Sequence, residues 1–134
     1  MNIGSIKWPL ERKEAIDLYL TFLINSIHLY DINFERFSSN PVDTARSYIE
    51  NRIGEAEYHN AVEYWWELID KGNSLRDFDS EDILMARLGV CLTSANVKEV
   101  TELANHLSWF IELIDYLNLD PKLCISLMNS HFKF

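Results

Sequence analysis

Carboxylates and histidines at helical spacing are the residues of this chain whose pattern could carry chemistry. His59 and Glu63 are four residues apart, as are Glu102 and His106, and such pairs can share a metal ion on one helix face. However, neither His-Glu-x-x-His nor Glu-x-x-His occurs, so the zinc-protease motif and the paired di-iron motif of helical bundles are both missing. The sequence therefore predicts no metal site and no catalytic residue.

A Mg²⁺-dependent enzyme, like an all-α nucleotide pyrophosphohydrolase, is the alternative that the residues leave open. Such an enzyme would hold Mg²⁺ through carboxylates on facing helices. The chain offers four of them in one segment: Glu50, Glu63, Glu67 and Asp70. Chemistry on phosphates also calls for Lys or Arg to balance the substrate's charge, and residues 50–82 contain only three bases. A non-enzymatic function is therefore the first hypothesis.

The remaining reactive residue types form no motif. The four glycines make no phosphate-binding loop, and no Gly-x-Ser-x-Gly sequence occurs, so no cofactor is predicted. Cys91 and Cys124 are not a Cys-x-x-Cys pair, and each lies in an apolar stretch that is typical of a core cysteine. With two cysteines, no signal peptide and no N-x-[ST] sequon, the sequence predicts a reduced, cytoplasmic chain.

Most of the negative charge belongs to one quarter of the chain. The net charge is −9 over 134 residues. Residues 50–82 hold ten acids and three bases, a balance of −7, whereas the segments on either side carry −1 each. A field of this sign repels nucleic acid and anionic membranes and attracts a basic protein. A basic protein partner is therefore predicted, and the other interpretation of the same charge is solubility.

Apolar periodicity predicts the helices that must position these residues. From residue 97 to residue 117, apolar side chains recur at spacings of three and four, and Trp109, Leu113 and Tyr116 form a second stripe. This pattern predicts a central helix 97–117, capped by Asn96 and buried on two sides. The other predicted helical segments are 9–31, 42–71, 80–94 and 121–129.

Together these segments predict an all-α fold, a compact bundle of five or six helices in a single domain over residues 1–134. Residues 33–41 and 73–79 are rich in polar and turn-forming types and are predicted loops, the first fastened to the core by Phe34 and Phe37. The apolar face of 42–71 changes direction just after Gly54, which predicts a break or bend there.

The second half of the 42–71 segment is the predicted docking surface. Several polar residues there share one helical face, with Trp66 at its flank and Trp65 on the opposite, apolar face. Acids can meet Lys or Arg of a partner while Trp66 serves as a rigid anchor. The alternative is a solvated helix face beside a core tryptophan. The predicted docking surface consists of Glu57, His59, Asn60, Glu63, Trp66, Glu67, Asp70, Asp77 and Asp79.

Two stretches carry a resemblance to a known class of proteins: EAEYHNAVEYWWELIDKG, residues 55–72, and DSEDILMARLGVCL, residues 79–92. In a small, acidic, helical chain without a catalytic motif, they resemble the immunity proteins of bacterial contact-dependent growth inhibition and polymorphic toxin systems. The resemblance covers about the middle third of the chain. It implies a protein that binds a cognate toxin, often a basic nuclease, and blocks its active site or substrate path. It assigns no residue roles, because such families share no motif.

Overall fold

The computed structural model describes residues 3–71 and 80–134, and these residues form an all-α bundle, as predicted. Seven α-helices follow a short 3-10 turn at Ile3–Ser5, and the described ranges contain no strand. The helices are α1 (Arg12–Leu29), α2 (Pro41–Ile49), α3 (Glu55–Asn60), α4 (Val62–Lys71), α5 (Ser80–Thr93), α6 (Glu102–Tyr116) and α7 (Pro121–His131). None of the helices in the described ranges is long and apolar enough to cross a membrane.

Helices α1 and α5 occupy the middle of the bundle. Helix α5 packs against α1, α2, α4 and α6, and α1 also packs against α2, α6 and α7. Trp65 of α4 is the largest fully buried side chain of the described residues. Its indole lies so close to Gly89 of α5 that a Cβ atom there would come within 2.3 Å of the ring. The glycine therefore lets α4 approach α5 closely.

The loop between α1 and α2 is fastened to the core by aromatic contacts, as predicted. The ring centroids of Phe34 and Phe37 lie 5.7 Å and 5.3 Å from that of Trp65, both with edge-on geometry. Phe34 is buried and Phe37 is packed against the core. Edge-on aromatic pairs at this separation add stability beyond the area that they bury. The loop thus covers the side of Trp65 that α5 leaves open.

The helix predicted at 97–117 is shorter than expected. Helix α6 begins at Glu102, and its N-cap residue, Thr101, makes no side-chain capping bond. Asn96 therefore does not cap it. Instead, a carboxylate oxygen of Glu102 accepts a hydrogen bond from the Glu99 N–H at 3.1 Å, which stabilises the turn before the helix. Val97 fits the apolar spacing of the helix, but residues 97–101 precede α6 and are not helical.

The prediction that this helix is buried on two sides is wrong. Its buried face comprises Leu103, Leu107, Phe110, Leu113 and Ile114. In the second stripe only Leu113 is buried, because Trp109 is 38% exposed and Tyr116 is 58% exposed. Tryptophan and tyrosine carry a polar atom and tolerate partial exposure, so counting them as core residues overstated the apolar surface. Helix α6 therefore has one buried face and an aromatic outer face.

The break near Gly54 is confirmed. Helix α2 ends at Ile49, Asn51 takes a left-handed conformation with φ 60°, and Gly54 is the N-cap residue of α3. A second interruption, at Ala61 between α3 and α4, was not predicted. Ala61 keeps φ −63° and ψ −23°, which are right-handed helical values. Helix α4 therefore continues α3 with little change of direction.

The two terminal helices differ from the prediction in detail. Helix α1 begins at Arg12, where the Glu11 carboxylate accepts the Glu14 N–H at 2.6 Å, so Pro9 and the fully exposed Leu10 precede it. Helix α7 begins at Pro121 with Asp120 as its cap, as predicted. Leu123 of this helix is exposed. Gly72 and the predicted loop 73–79 lie outside the described residues.

Candidate functional site

A buried tyrosine holds α3 in place. The Tyr58 hydroxyl donates a hydrogen bond to the Leu92 carbonyl at 2.8 Å and accepts one from the Ala95 N–H at 3.0 Å. The ring also stacks on Tyr48, with centroids 4.2 Å apart and planes 12° apart. Burial raises the pKa of Tyr58 well above its ordinary value, so the hydroxyl stays protonated and keeps both bonds. These contacts join α3 to α2 and to the end of α5.

The adjacent tryptophans of α4 face opposite ways. Trp65 is fully buried against α5, whereas Trp66 is 45% exposed. Because successive helical residues are about 100° apart, burying Trp65 turns the polar side of α4 to solvent. Glu63, Glu67 and Asp70 all lie on that exposed side. We name these three residues the α4 acids.

The α4 acids have no neutralising partner among the described residues. Four other acids of the segment do, and each has a base within 3.6 Å. The pairs are Glu50 with Arg52, Glu55 with Arg12, and Glu81 and Asp82 with Arg36. Within the described ranges, no ion pair reaches Glu57, Glu63, Glu67 or Asp70. Among the described residues of this segment, the acids without an ion pair are therefore the three α4 acids and Glu57 of α3.

The predicted docking surface divides into two parts. Glu57 lines a shallow depression of about 230 Å³ on the α2 side, beside Asp43 and Ser47. The α4 acids surround Trp66 on α4. His59 is exposed but is tied to the loop after α5, since its Nδ1 lies 3.0 Å from the Asn96 side-chain nitrogen. Asn60 is exposed at the end of α3, and Asp77 and Asp79 lie outside the described residues.

A groove between α4, α5 and α6 joins Trp66 to a second exposed tryptophan. Its volume is about 320 Å³. We name it the tryptophan groove; its lining residues are Trp66, Val90, Cys91, Ser94, Asn105, His106 and Trp109. Sequence reasoning missed this feature, because it placed Trp109 in a buried stripe and treated that stripe as a separate surface from Trp66. Spacing along one helix gives no information on which residue of another helix lies beside it.

The titratable groups of the tryptophan groove are neutral at pH 7. Burial raises the pKa of the Cys91 thiol to about 12, so the sulfur is a poor nucleophile. Burial lowers the pKa of His106 below its ordinary value of 6.5, and the nearby Glu102 opposes that shift. The His106 ring packs edge-on against Tyr19, with centroids 6.4 Å apart. The groove therefore offers aromatic and apolar contact without a charge of its own.

The lowered pKa of His106 predicts a specific loss of stability in acid. In the unfolded chain the His106 side chain takes up a proton near pH 6.5, whereas in the folded chain it does so only at lower pH. The free energy of unfolding therefore falls as pH drops below 6.5, and it levels off below the pKa of His106 in the folded state. Urea unfolding of the protein and of His106→Gln at about pH 7.5 and about pH 5 isolates this group, since the other histidines are common to both. We expect the native protein to lose more stability on acidification than the variant. Equal losses would contradict the assignment.

The carboxylates of the magnesium hypothesis do not gather into a site. Among residues 3–71 and 80–134, no group of three His, Cys, Asp or Glu side chains is placed to hold a metal ion. Glu50 is instead paired with Arg52 at 2.8 Å. The pairs at helical spacing, His59 with Glu63 and Glu102 with His106, thus stand without a third ligand. Within the described ranges, these carboxylates and histidines therefore do not form a metal site.

Comparison with known proteins adds no relative from which residue roles could be transferred. No protein family, curated protein or solved structure matches the chain. The interpretation of the site therefore depends on the α4 acids, the tryptophan groove and their chemistry.

Proposed function

We propose that this protein is a non-enzymatic binding module, an immunity protein that binds and neutralises a cognate basic toxin, a nuclease, in the bacterial cytoplasm. The observation that carries the proposal is the exposed, unbalanced charge of the α4 acids around a half-exposed Trp66. The resemblance of residues 55–72 and 79–92 to immunity proteins supports the same function.

The charge of the α4 acids explains how a partner is found. Unbalanced charges on one face produce a field that attracts a basic surface and raises the rate of association. The same charges would repel the phosphates of nucleic acid, so the surface selects for a protein. Because α4 is fixed by Trp65 and α3 by Tyr58, the carboxylates are displayed on a rigid support. A preorganised surface loses little conformational entropy on binding.

The same chemistry explains how a nuclease would be neutralised. A nuclease holds its substrate with Lys and Arg side chains that contact phosphates. Carboxylates on an exposed helix can pair with those Lys and Arg side chains in place of phosphate. Trp66 can bury apolar area beside these ion pairs. The bound helix then obstructs the path of the nucleic acid. No catalytic group of the immunity protein is needed for this inhibition.

We expect the toxin domain to be encoded by a neighbouring gene, and the test measures its inhibition by this protein and the kinetics of their association. The purified protein should abolish the toxin's activity at equimolar ratio. Its association rate should fall as salt rises from about 0.05 M to about 0.5 M, because screening shortens the reach of the field. Charge reversal by Glu63→Lys with Glu67→Lys should slow association about tenfold or more at low salt and leave the fold intact, since both side chains are exposed.

The matched control applies the same change of charge elsewhere. Glu35, in the loop after α1, and Asp115, on α6, are exposed acids, and neither has a base as an ion-pair partner among the described residues. Glu35→Lys with Asp115→Lys alters the net charge equally, so it measures the effect of overall charge alone. Equal slowing by the two double variants would assign steering to net charge and reject the α4 acids as the contact surface. A toxin that retains full activity would reject the function itself.

A further inference from the structure

The tryptophan groove has the chemistry of a pocket for one basic side chain. We propose that it receives a single Lys or Arg side chain of the partner, with the stem along Trp66 and Trp109 and the cationic head toward the surrounding carboxylates. This rests on the proposed function and adds to it the contact that fixes the partner's position. The α4 acids then provide steering, and the groove provides specificity.

Two partly exposed indoles in one groove favour a cation. Trp66 is 45% exposed and Trp109 is 38% exposed, and both line the same space. The face of an indole attracts Lys or Arg more strongly than that of any other aromatic side chain. Val90 and the buried, neutral Cys91 also line the groove and offer apolar contact to an aliphatic stem. The groove therefore suits a side chain that is apolar along its length and charged at its end.

Exposed carboxylates flank the tryptophan groove on α4 and α6, and on α5 the base Arg87 stands three residues before Val90. On α4, Glu63 and Asp70 stand three residues before and four residues after Trp66, which places them on its side of the helix. On α6, Glu112 stands three residues after Trp109. All three carboxylates are exposed and have no ion pair with a described residue. None of the residues that line the groove is a Lys or Arg.

The size of the groove and the charge around it argue against other occupants. At about 320 Å³ it is at the small end of the range for ligand pockets, about 300–1,000 Å³, which fits one side chain better than a nucleotide or cofactor. No charged side chain lines the groove itself, and the field of the exposed carboxylates on α4 and α6 favours a cationic occupant over a purely apolar one. An acidic or phosphorylated group would meet like charge. A cationic side chain satisfies both the rings and the carboxylates.

The test uses short blocked peptides in place of the unidentified partner. N-acetyl-Gly-Arg-Gly-amide carries the cation, and N-acetyl-Gly-norleucine-Gly-amide carries an aliphatic stem without charge. Binding is followed through the indole N–H signals of Trp66 and Trp109 in nitrogen-15 NMR spectra, with Trp8 and Trp65 as internal references. We expect the arginine peptide to shift the two groove signals selectively, with weaker binding at high salt. The norleucine peptide should bind at least about threefold more weakly.

Variants distinguish binding in the tryptophan groove from nonspecific electrostatic attraction of the cationic peptide to the protein. Trp109→Ala should weaken binding of the arginine peptide by about threefold to thirtyfold. The carboxamide double variant, Glu63→Gln with Asp70→Asn, should weaken it by a similar factor. Tyr116→Ala is the matched control, because Tyr116 is an exposed aromatic residue of α6 that does not line the groove. It should leave binding unchanged. The carboxamide double variant retains both indoles, so it tests the proposal even if the alanine variant fails to fold.

The outcomes distinguish this inference from the proposed function. Equal binding of the two peptides would identify an apolar pocket and overturn the cationic occupant. Absence of selective shifts at Trp66 and Trp109, or an equal effect of Tyr116→Ala, would also overturn it. Toxin inhibition and the effect of reversing the α4 acids are measured without these peptides. If the proposed function fails while the arginine peptide binds selectively, the groove serves a basic partner of another kind.

Discussion

Replacing Trp65 by alanine should lower the free energy of unfolding by about 3–5 kcal/mol, as truncation of large buried aromatic residues does. The fully buried indole contacts α5 at Gly89 and the rings of Phe34, Phe37 and Tyr64. Its removal leaves a cavity between α4, α5 and the loop after α1. The surrounding helices cannot fill that space completely, so packing energy is lost in addition to the free energy of burial.

The neighbouring residue is the matched control for this prediction. Trp66→Ala deletes the same side chain from the same helix, but from a position that is 45% exposed. It should cost about 1 kcal/mol or less, as substitutions at partly exposed sites usually do. Urea unfolding monitored by far-ultraviolet circular dichroism measures both variants without dependence on tryptophan fluorescence. Similar losses for the two variants would mean that Trp65 does not hold α4 against the bundle.

The opposite placement of these two tryptophans could be predicted from the sequence. Trp65 shares a helical face with Tyr58, Val62 and Leu68, all apolar, whereas Trp66 flanks a face of acids. The break near Gly54 could be predicted for the same reason, since the apolar face changes direction there. Local chemistry also sufficed at α7, where Asp120 followed by Pro121 starts the helix. In these cases, the information lies within one helix or one turn.

The tryptophan groove could not be predicted, because it depends on how separate helices pack. Periodicity gives the relative directions of side chains along α6 but does not say how far its neighbours extend over each face. Trp109 and Tyr116 were expected to be covered, and both are exposed. The ion pairs of Glu55 with Arg12 and of Asp82 with Arg36 also join distant parts of the chain. Which acids remain unpaired was therefore evident only from the structure.

Gly89→Ala should destabilise the protein by about 1–3 kcal/mol, although alanine favours a helix more than glycine does. A Cβ atom at this position would lie 2.3–2.7 Å from three atoms of the Trp65 indole, so the helices or the ring must move. The ring has little room, because Phe34 and Phe37 pack against it edge-on. Overpacking of this kind exceeds the gain in helix propensity of about 1 kcal/mol.

A double-mutant cycle tests whether the Trp65 ring is the cause. In the Trp65→Ala background the clash is absent, so Gly89→Ala should become neutral or stabilising by up to about 1 kcal/mol. Gly54→Ala introduces no clash, since a Cβ atom there would have nothing within 4 Å, and it should cost about 1 kcal/mol or less in both backgrounds, because Gly54 is the N-cap residue of α3. An unchanged cost of Gly89→Ala in both backgrounds would locate the strain elsewhere. Coupling between the two sites would instead show that the close approach of the Trp65 ring is what requires glycine at position 89.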